Sequence, residues 1–268
     1  MSFLRSSRTV LAQSVALSVC ALTLSACGGG SDGGARALDL TILHINDHHS
    51  HLDAETTTLT LKDAAGTPRS VTVDLGGFAR VTAAMEALAT PGRNVLKLHA
   101  GDAITGDLYF TQSEGQADAV LMNTVCFDAF AIGNHEFDSA DAGLVKFIDY
   151  LHAGACQTPV LSANIEPAAG SALAGRMGAY KIIDKDGEKI GVVGLTVKDK
   201  TQFASRPDAS TRFQDEATAA QTVINELKLR GVNKIVLLSH LGYAADKAIA
   251  PKLSGVDVII GGDSHTLL

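Results

Sequence analysis

Five short polar clusters, each following an apolar run, constrain this chain more than any other feature of its sequence. The apolar runs have the length and composition of buried strands: Leu40–Ile45, Val95–His99, Ala129–Ile132, Ile235–Leu238 and Val256–Ile260. The polar clusters that follow them are Asn46-Asp47-His48-His49, Gly101-Asp102, Gly133-Asn134-His135-Glu136, Ser239-His240 and Gly262-Asp263-Ser264-His265. Because the carboxyl ends of parallel strands share one edge of a sheet, we expect these side chains to form one site.

The segments between these runs alternate between strand and helix patterns, which indicates an α/β fold with a largely parallel sheet. Apolar periodicity predicts five helices: Phe78–Leu88, Gln116–Thr124, Ser139–Ala153, Ala217–Leu229 and Ala244–Leu253. Alternating residues predict two hairpins, which pair Thr57–Lys62 with Ser70–Asp74 and Tyr180–Ile183 with Lys189–Leu195. We also expect His44, on the first strand, to lie in the core or directly behind the ligands.

The composition argues against a nucleic-acid polymer as the partner. The chain has 268 residues, a hydrophobic fraction of 46% and a net charge of −7, so it can form a globular core of one large domain or two small ones. A nucleic-acid polymer needs a basic binding face, which this charge argues against. A small anionic substrate stays compatible, because a metal centre dominates its local field. The sequence predicts no particular oligomeric state.

The first 27 residues have the pattern of a targeting segment. Two arginines precede an apolar stretch that ends in Leu24-Ser25-Ala26-Cys27, which resembles the lipobox of bacterial lipoproteins. Ordinary signal cleavage near Ala26 is the alternative. We expect residues 1–27 to be a signal peptide, Cys27 to be lipidated and the Gly/Ser-rich residues 28–37 to be a tether. The protein would then be exported to the bacterial cell envelope and face the periplasm or the cell exterior, with no membrane contact beyond its lipid anchor.

Seven side chains in the clusters have the chemistry of metal ligands. They are Asp47, His49, Asp102, Asn134, His240, Asp263 and His265. Seven ligands exceed the three or four that one zinc ion takes, and they suit two divalent ions about 3.5–4 Å apart that share a carboxylate. Mixed oxygen and nitrogen ligation fits Zn, Mn, Co or Fe.

The same clusters resemble those of the calcineurin-like metallophosphatases, and more closely those of the 5′-nucleotidase branch. The motifs that carry the resemblance are Asp47-His48-His49, Gly101-Asp102, Gly133-Asn134-His135-Glu136-Phe137-Asp138, Ser239-His240 and Gly261-Gly262-Asp263-Ser264-His265-Thr266. The resemblance covers residues 38–268 and implies a four-layer αββα sandwich.

The resemblance also implies a role for each residue. Asp47, His49 and His265 would hold one metal ion, and Asn134, His240 and Asp263 the other. Asp102 would bridge the two ions. His135 would stabilise charge on the phosphoryl group or the leaving oxygen while Asp138 orients it. Glu136 could act as a general base, but its place in the family is structural. Asp263 is a departure, because many relatives have a histidine there.

The implied function is an exported enzyme that hydrolyses nucleotide phosphomonoesters by attack of a metal-bridging hydroxide. Alternatives are a 2′,3′-cyclic nucleotide phosphodiesterase, a UDP-sugar hydrolase, a sulfate–thiol hydrolase of sulfur oxidation, or an inactive metal-binding fragment. In the family a C-terminal domain grips the nucleoside. We expect residues 38–268 to be a metallophosphatase domain that lacks this substrate domain and is, by itself, weakly active at best.

Cys126 and Cys156 are the two cysteines of the expected mature chain, and each precedes a predicted strand. If those strands are neighbours in a parallel sheet, the two thiols lie close together, and an exported compartment permits a disulfide between them. Two buried free thiols are the alternative.

Overall fold

The computed structural model describes residues 36–90 and 92–267. The predicted signal peptide, Cys27 and nearly all of the predicted tether lie outside the described residues. Within this part of the chain, no helix combines the length and the apolar character needed to cross a membrane.

Two four-stranded sheets form the centre of the fold. The strands are β1 (Leu40–Ile45), β2 (Ala54–Lys62), β3 (Pro68–Gly76), β4 (Asn94–His99), β5 (Ala129–Ala131), β6 (Val160–Leu161), β7 (Ile165–Glu166), β8 (Tyr180–Lys185), β9 (Glu188–Thr196), β10 (Arg212–Phe213), β11 (Lys234–His240) and β12 (Val258–Gly261). The first sheet has the parallel order β1-β4-β5-β6. The second has the order β12-β11-β9-β8, in which only β8 is antiparallel. The predicted hairpins are β2–β3 and β8–β9.

Seven α-helices accompany the strands in the described residues. They are α1 (Phe78–Leu88), α2 (Leu108–Ser113), α3 (Gln116–Val125), α4 (Ala140–Ala153), α5 (Lys198–Phe203), α6 (Glu216–Leu229) and α7 (Tyr243–Ile249). The predicted helix Ala244–Leu253 is shorter than expected and continues as a 3-10 turn over Ala250–Lys252, because Pro251 lacks the N–H that an α-helix needs. Helices α2 and α5 were missed, since six residues are too few to establish a periodicity.

Three apolar clusters hold four layers together. The apolar interface between the two sheets is formed by residues of both, among them Leu98, Ala131, Val192 and Leu238. A second cluster packs α3 and α4 on the outer face of the first sheet. A third packs α6 on the outer face of the second sheet. The predicted αββα architecture is therefore confirmed. His44 is exposed, so the core position, one of the two that the sequence suggested for it, is wrong.

A disulfide joins Cys126, at the end of α3, to Cys156, before β6. Strands β5 and β6 are parallel neighbours, which is the arrangement that the sequence argument required. The Cα atoms of the two cysteines are 5.1 Å apart, a normal separation for this bond. The cross-link fixes the end of α3 to the edge of the first sheet.

Candidate metal centre

The loops that follow β1 and β4 are hydrogen-bonded to each other. The backbone N–H of Asp47 donates to the carbonyl of Gly101 at 2.9 Å, and that of His49 donates to the carbonyl of Asp102 at 3.2 Å. The parallel pairing of the two strands thus continues into the loops, and it holds the side chains of the first two clusters side by side.

Five of the seven predicted ligands have a left-handed backbone. Their φ angles are 52° at Asp47, 48° at His49, 53° at Asp102, 77° at Asp263 and 48° at His265. Non-glycine residues rarely adopt this conformation, which costs energy and persists only where the surrounding structure imposes it. The concentration of such residues where strands of the two sheets end marks this region as a candidate functional site.

The first group of ligand atoms comes from Asp47, His49 and His265, whose candidate atoms all lie within 4.8 Å of one another. The Nε2 atoms of the two histidines are 3.2 Å apart, and Asp47 Oδ1 is 3.5 Å from His265 Nε2. Burial lowers the pKa of His49, although the Asp102 carboxylate opposes this shift. The lowered pKa favours the neutral imidazole, which is the form that binds a metal ion.

The second group surrounds His240, which is fully buried. Its Nε2 atom is 3.0 Å from Asp102 Oδ2, 3.7 Å from Asp263 Oδ1 and 4.0 Å from Asp47 Oδ1. Asp102 Oδ2 is also 3.9 Å from His49 Nε2. The Asp102 carboxylate therefore lies between the two groups, where a bridging ligand would have to be.

The residues of the second group fit a cation. His240 Nδ1 donates to the carbonyl of Ala100 at 2.6 Å, which turns Nε2 toward the carboxylates. This Nε2 is buried and has no hydrogen-bond partner in the described part of the chain, although carboxylate oxygens surround it. Burial alone would lower the pKa of His240, but the Asp102 and Asp47 carboxylates outweigh burial and raise it to about 9. The surroundings thus demand positive charge at the position that a metal ion would take.

Asn134 and Asp263 complete this second group. One terminal atom of the Asn134 amide lies 3.2 Å from Asp263 Oδ1. With nitrogen there the amide donates to the carboxylate, and with oxygen there both groups face the same space as ligands. All seven predicted ligands are therefore brought together. Asp263 thus puts a negatively charged carboxylate oxygen among the predicted ligand atoms.

His135 lies beside the ligands and is bonded to Asp138, as predicted. His135 Nδ1 is 2.6 Å from Asp138 Oδ2, and this hydrogen bond raises the pKa of His135. The backbone N–H of His135 donates to Asp102 Oδ1 at 2.9 Å. The imidazole is half-buried at the rim of the site, so it can reach a bound molecule.

Glu136 organises the loops behind the ligands. Its fully buried carboxylate accepts hydrogen bonds from the backbone N–H groups of Gly133, Asp102, Ala103 and Ile104 at 2.7, 3.0, 2.8 and 3.4 Å. Burial and the Asp102 charge raise the pKa of Glu136 to about 7. With both oxygens engaged by the backbone, this residue supports the site and does not act as a general base.

Two contributors were missed by the sequence analysis. Asp118, buried on α3, accepts from Ser50 Oγ at 3.0 Å and lies 3.2 Å from His48 Nε2, so it anchors the loop that carries the first ligands. An acidic residue among the apolar positions of α3 was the available signal. Lys200, on α5, forms an ion pair with Asp263. No motif pointed to Lys200, because α5 was not predicted.

The sequence of this chain matches a known family and several known proteins. The family model of the calcineurin-like phosphoesterases matches residues 40–267. An NAD 5′-nucleotidase of Haemophilus influenzae is 45% identical over 232 residues, which cover 87% of this chain and 37% of the relative. A probable 5′-nucleotidase of Treponema pallidum is 45% identical over 237 residues, covering 88% of this chain and 38% of the relative.

A solved structure agrees with these sequence matches. The structure of the NAD nucleotidase of Haemophilus influenzae superposes with a TM-score of 0.80 at 45% identity, covering 87% of this chain and 40% of that one. The chain spans less than two fifths of the length of the two curated relatives.

Proposed function

Because the chain belongs to the calcineurin-like phosphoesterase family, we propose that its metal centre hydrolyses phosphate monoesters of nucleotides, as a 5′-nucleotidase-like enzyme. The observation that carries the proposal is the group around His240. The buried Nε2 atom of His240 faces three carboxylates, and this concentration of negative charge favours a cation, which a metal ion would supply once it displaced the proton.

The ligands divide into two overlapping sets, which supports a centre for two divalent ions of Zn, Mn, Co or Fe. Asp47, His49 and His265 would hold one ion. His240, Asp263 and Asn134 would hold the other, with Asp102 between the two. When bound, such ions polarise the phosphoryl group and activate the attacking water.

The chain's own residues supply orientation and protons. Asp138 raises the pKa of His135 and so favours its protonated form, whose Nε2–H would donate to a phosphoryl oxygen or the leaving oxygen. The Ala100 carbonyl fixes the tautomer of His240, and Glu136 fixes the loop of Asp102. These contacts hold the ligands in place before substrate binds, which reduces the reorganisation that the reaction requires.

The test is phosphate release from AMP by the chain after chelation and readdition of Mn²⁺, Co²⁺ or Zn²⁺. We expect the metal to restore release, and Asp102→Asn and His135→Ala each to reduce it by at least about a hundredfold. Asp149→Asn, at an exposed carboxylate paired with Arg176, is the matched control and should leave the rate unchanged. Release that needs no metal, or that survives both substitutions, would refute the proposal. UDP-sugars and 2′,3′-cyclic nucleotides in the same assay test the alternative substrates.

We also propose that the protein is exported and anchored through Cys27, with residues 1–27 as signal peptide, 28–37 as tether and 38–268 as the metallophosphatase domain. The lipobox-like sequence before the tether supports this proposal. Incorporation of labelled palmitate in a bacterial host should occur in the natural chain and be lost in Cys27→Ala. Equal labelling of both, or none in either, would contradict it.

A further inference from the structure

Lys200 places its ammonium group on the ligand atom of Asp263. Helix α5 carries this lysine to the rim of the metal centre, where Nζ contacts Asp263 Oδ1. The same oxygen is 3.7 Å from His240 Nε2 and 3.2 Å from a terminal atom of the Asn134 amide. The ammonium therefore approaches the oxygen that is turned toward the other ligands.

We propose that Lys200 lowers the affinity of the half of the centre formed by Asn134, His240 and Asp263, by competing with the metal ion for Asp263 Oδ1. The proposal rests on the metal-dependent function above, but it concerns ion binding and can be tested without substrate. It makes Lys200 a positioning residue that determines how firmly one of the two ions is held.

The charges at the site explain why such a lysine is useful. Asp47, Asp102 and Asp263 lie in one cluster, and two of them have side chains no more than 3% exposed. A neutral imidazole at position 263 would add no charge, whereas the aspartate adds one negative charge next to the metal. The Lys200 ammonium offsets that extra charge. Without it, the ion would be bound more tightly and would withdraw less charge from a bound phosphoryl group.

The position of Lys200 also allows the competition to be reversible. Its side chain is 41% exposed, while that of Asp263 is 14% exposed, so the lysine can leave and the aspartate cannot. A cavity of about 410 Å³, lined also by His135 and Arg206, adjoins the lysine and gives the released ammonium space. A lysine side chain is long and flexible, and its charge can move away from the carboxylate at a small cost.

The experiment is a competition titration of the chain with a chromophoric chelator and Zn²⁺ or Mn²⁺. We expect Lys200→Met to bind one ion about three- to tenfold more tightly than the natural chain, as removal of a partly exposed competing charge implies. Lys200→Arg keeps the positive charge, so its affinity for the ion should stay within about twofold of that of the natural chain. Lys198→Met, on the same helix, is the matched control and should have no effect.

A double substitution tests whether Lys200 acts on metal affinity through Asp263. In an Asp263→Asn background the competition has no carboxylate to act on, so Lys200→Met should no longer change the affinity. Unchanged or weaker binding by Lys200→Met, in a protein whose thermal melting matches that of the natural chain, overturns the proposal while the proposed function stands. A natural chain that binds neither ion overturns both.

Discussion

Replacement of Glu136 by glutamine removes the acceptor that joins the two central loops of the site. Oε2 accepts from Gly133 and Asp102, and Oε1 accepts from Ala103 and Ile104. A glutamine amide keeps one of the two oxygens and puts an NH₂ group in place of the other. In either orientation, two buried backbone N–H groups then face a donor.

The magnitude follows from these two lost acceptors. Each buried N–H without a partner costs about 1–3 kcal/mol, so the loss is about 2–6 kcal/mol. Part of it is offset, because burial and the Asp102 charge already raise the pKa of Glu136 to about 7 and glutamine carries no charge there. We therefore expect Glu136→Gln to lower the free energy of unfolding by about 3 kcal/mol, which lowers Tm by roughly 6–12 °C in a domain of this size.

The assay is thermal unfolding by circular dichroism at pH 8 in the presence of chelator. Glu114→Gln is the matched control, because Glu114 is exposed and paired only with Lys146, and such a pair contributes at most about 1 kcal/mol. A decrease in Tm for Glu136→Gln as small as that for Glu114→Gln would refute the argument that Glu136 holds the loops. Glu136→Gln should also weaken metal binding, since the backbone N–H of Asp102 loses its hydrogen bond to the Glu136 carboxylate.

Three further predictions concern the same site and its support. Asp138→Asn should lower the pKa of His135, because the hydrogen bond to Asp138 raises it, and an NMR titration would measure the change. The stability that this pair contributes is complete below about pH 6.5 and is lost as the pH rises through the raised pKa. In the variant, the loss of hydrolysis at alkaline pH should therefore begin at lower pH, as a pH–rate profile would measure. Gly133→Ala should abolish tight metal binding in a calorimetric titration, because its Cβ would collide with Asp102 Oδ1. Cys126→Ser opens a loop with a sequence separation of 30 residues and should lower the free energy of unfolding in urea by about 3–4 kcal/mol; an unchanged urea midpoint would contradict this.

The sequence places the candidate ligands through their position at the ends of the strands. Asp47, Asp102 and Asn134 each follow a strand of one parallel sheet, so strand periodicity places them at one edge. His240 ends a strand of the second sheet, and the strand pattern alone does not place it beside them. The layer arrangement came from the family resemblance, since alternation of strands and helices is compatible with one sheet as well as two.

The remaining features depend on contacts between distant residues. Lys200 reaches Asp263 across 63 positions, and Asp118 reaches His48 across 70, so no local pattern reveals either pair. Glu136 accepts hydrogen bonds from backbone N–H groups, and since nearly every residue has such a group, the sequence does not show which ones it contacts. His44 was expected in the core or behind the ligands, but it is exposed on β1, which is the edge strand of its sheet.

The most direct test of the account is the anomalous diffraction of crystals of this chain grown with Mn²⁺ or Zn²⁺. Two anomalous peaks are expected about 3.5–4 Å apart, with the Asp102 carboxylate between them. One peak should contact His49 and His265, and the other should contact His240 and Asp263. A single peak, or two peaks that Asp102 does not touch, would contradict the assignment of a two-metal phosphoesterase centre.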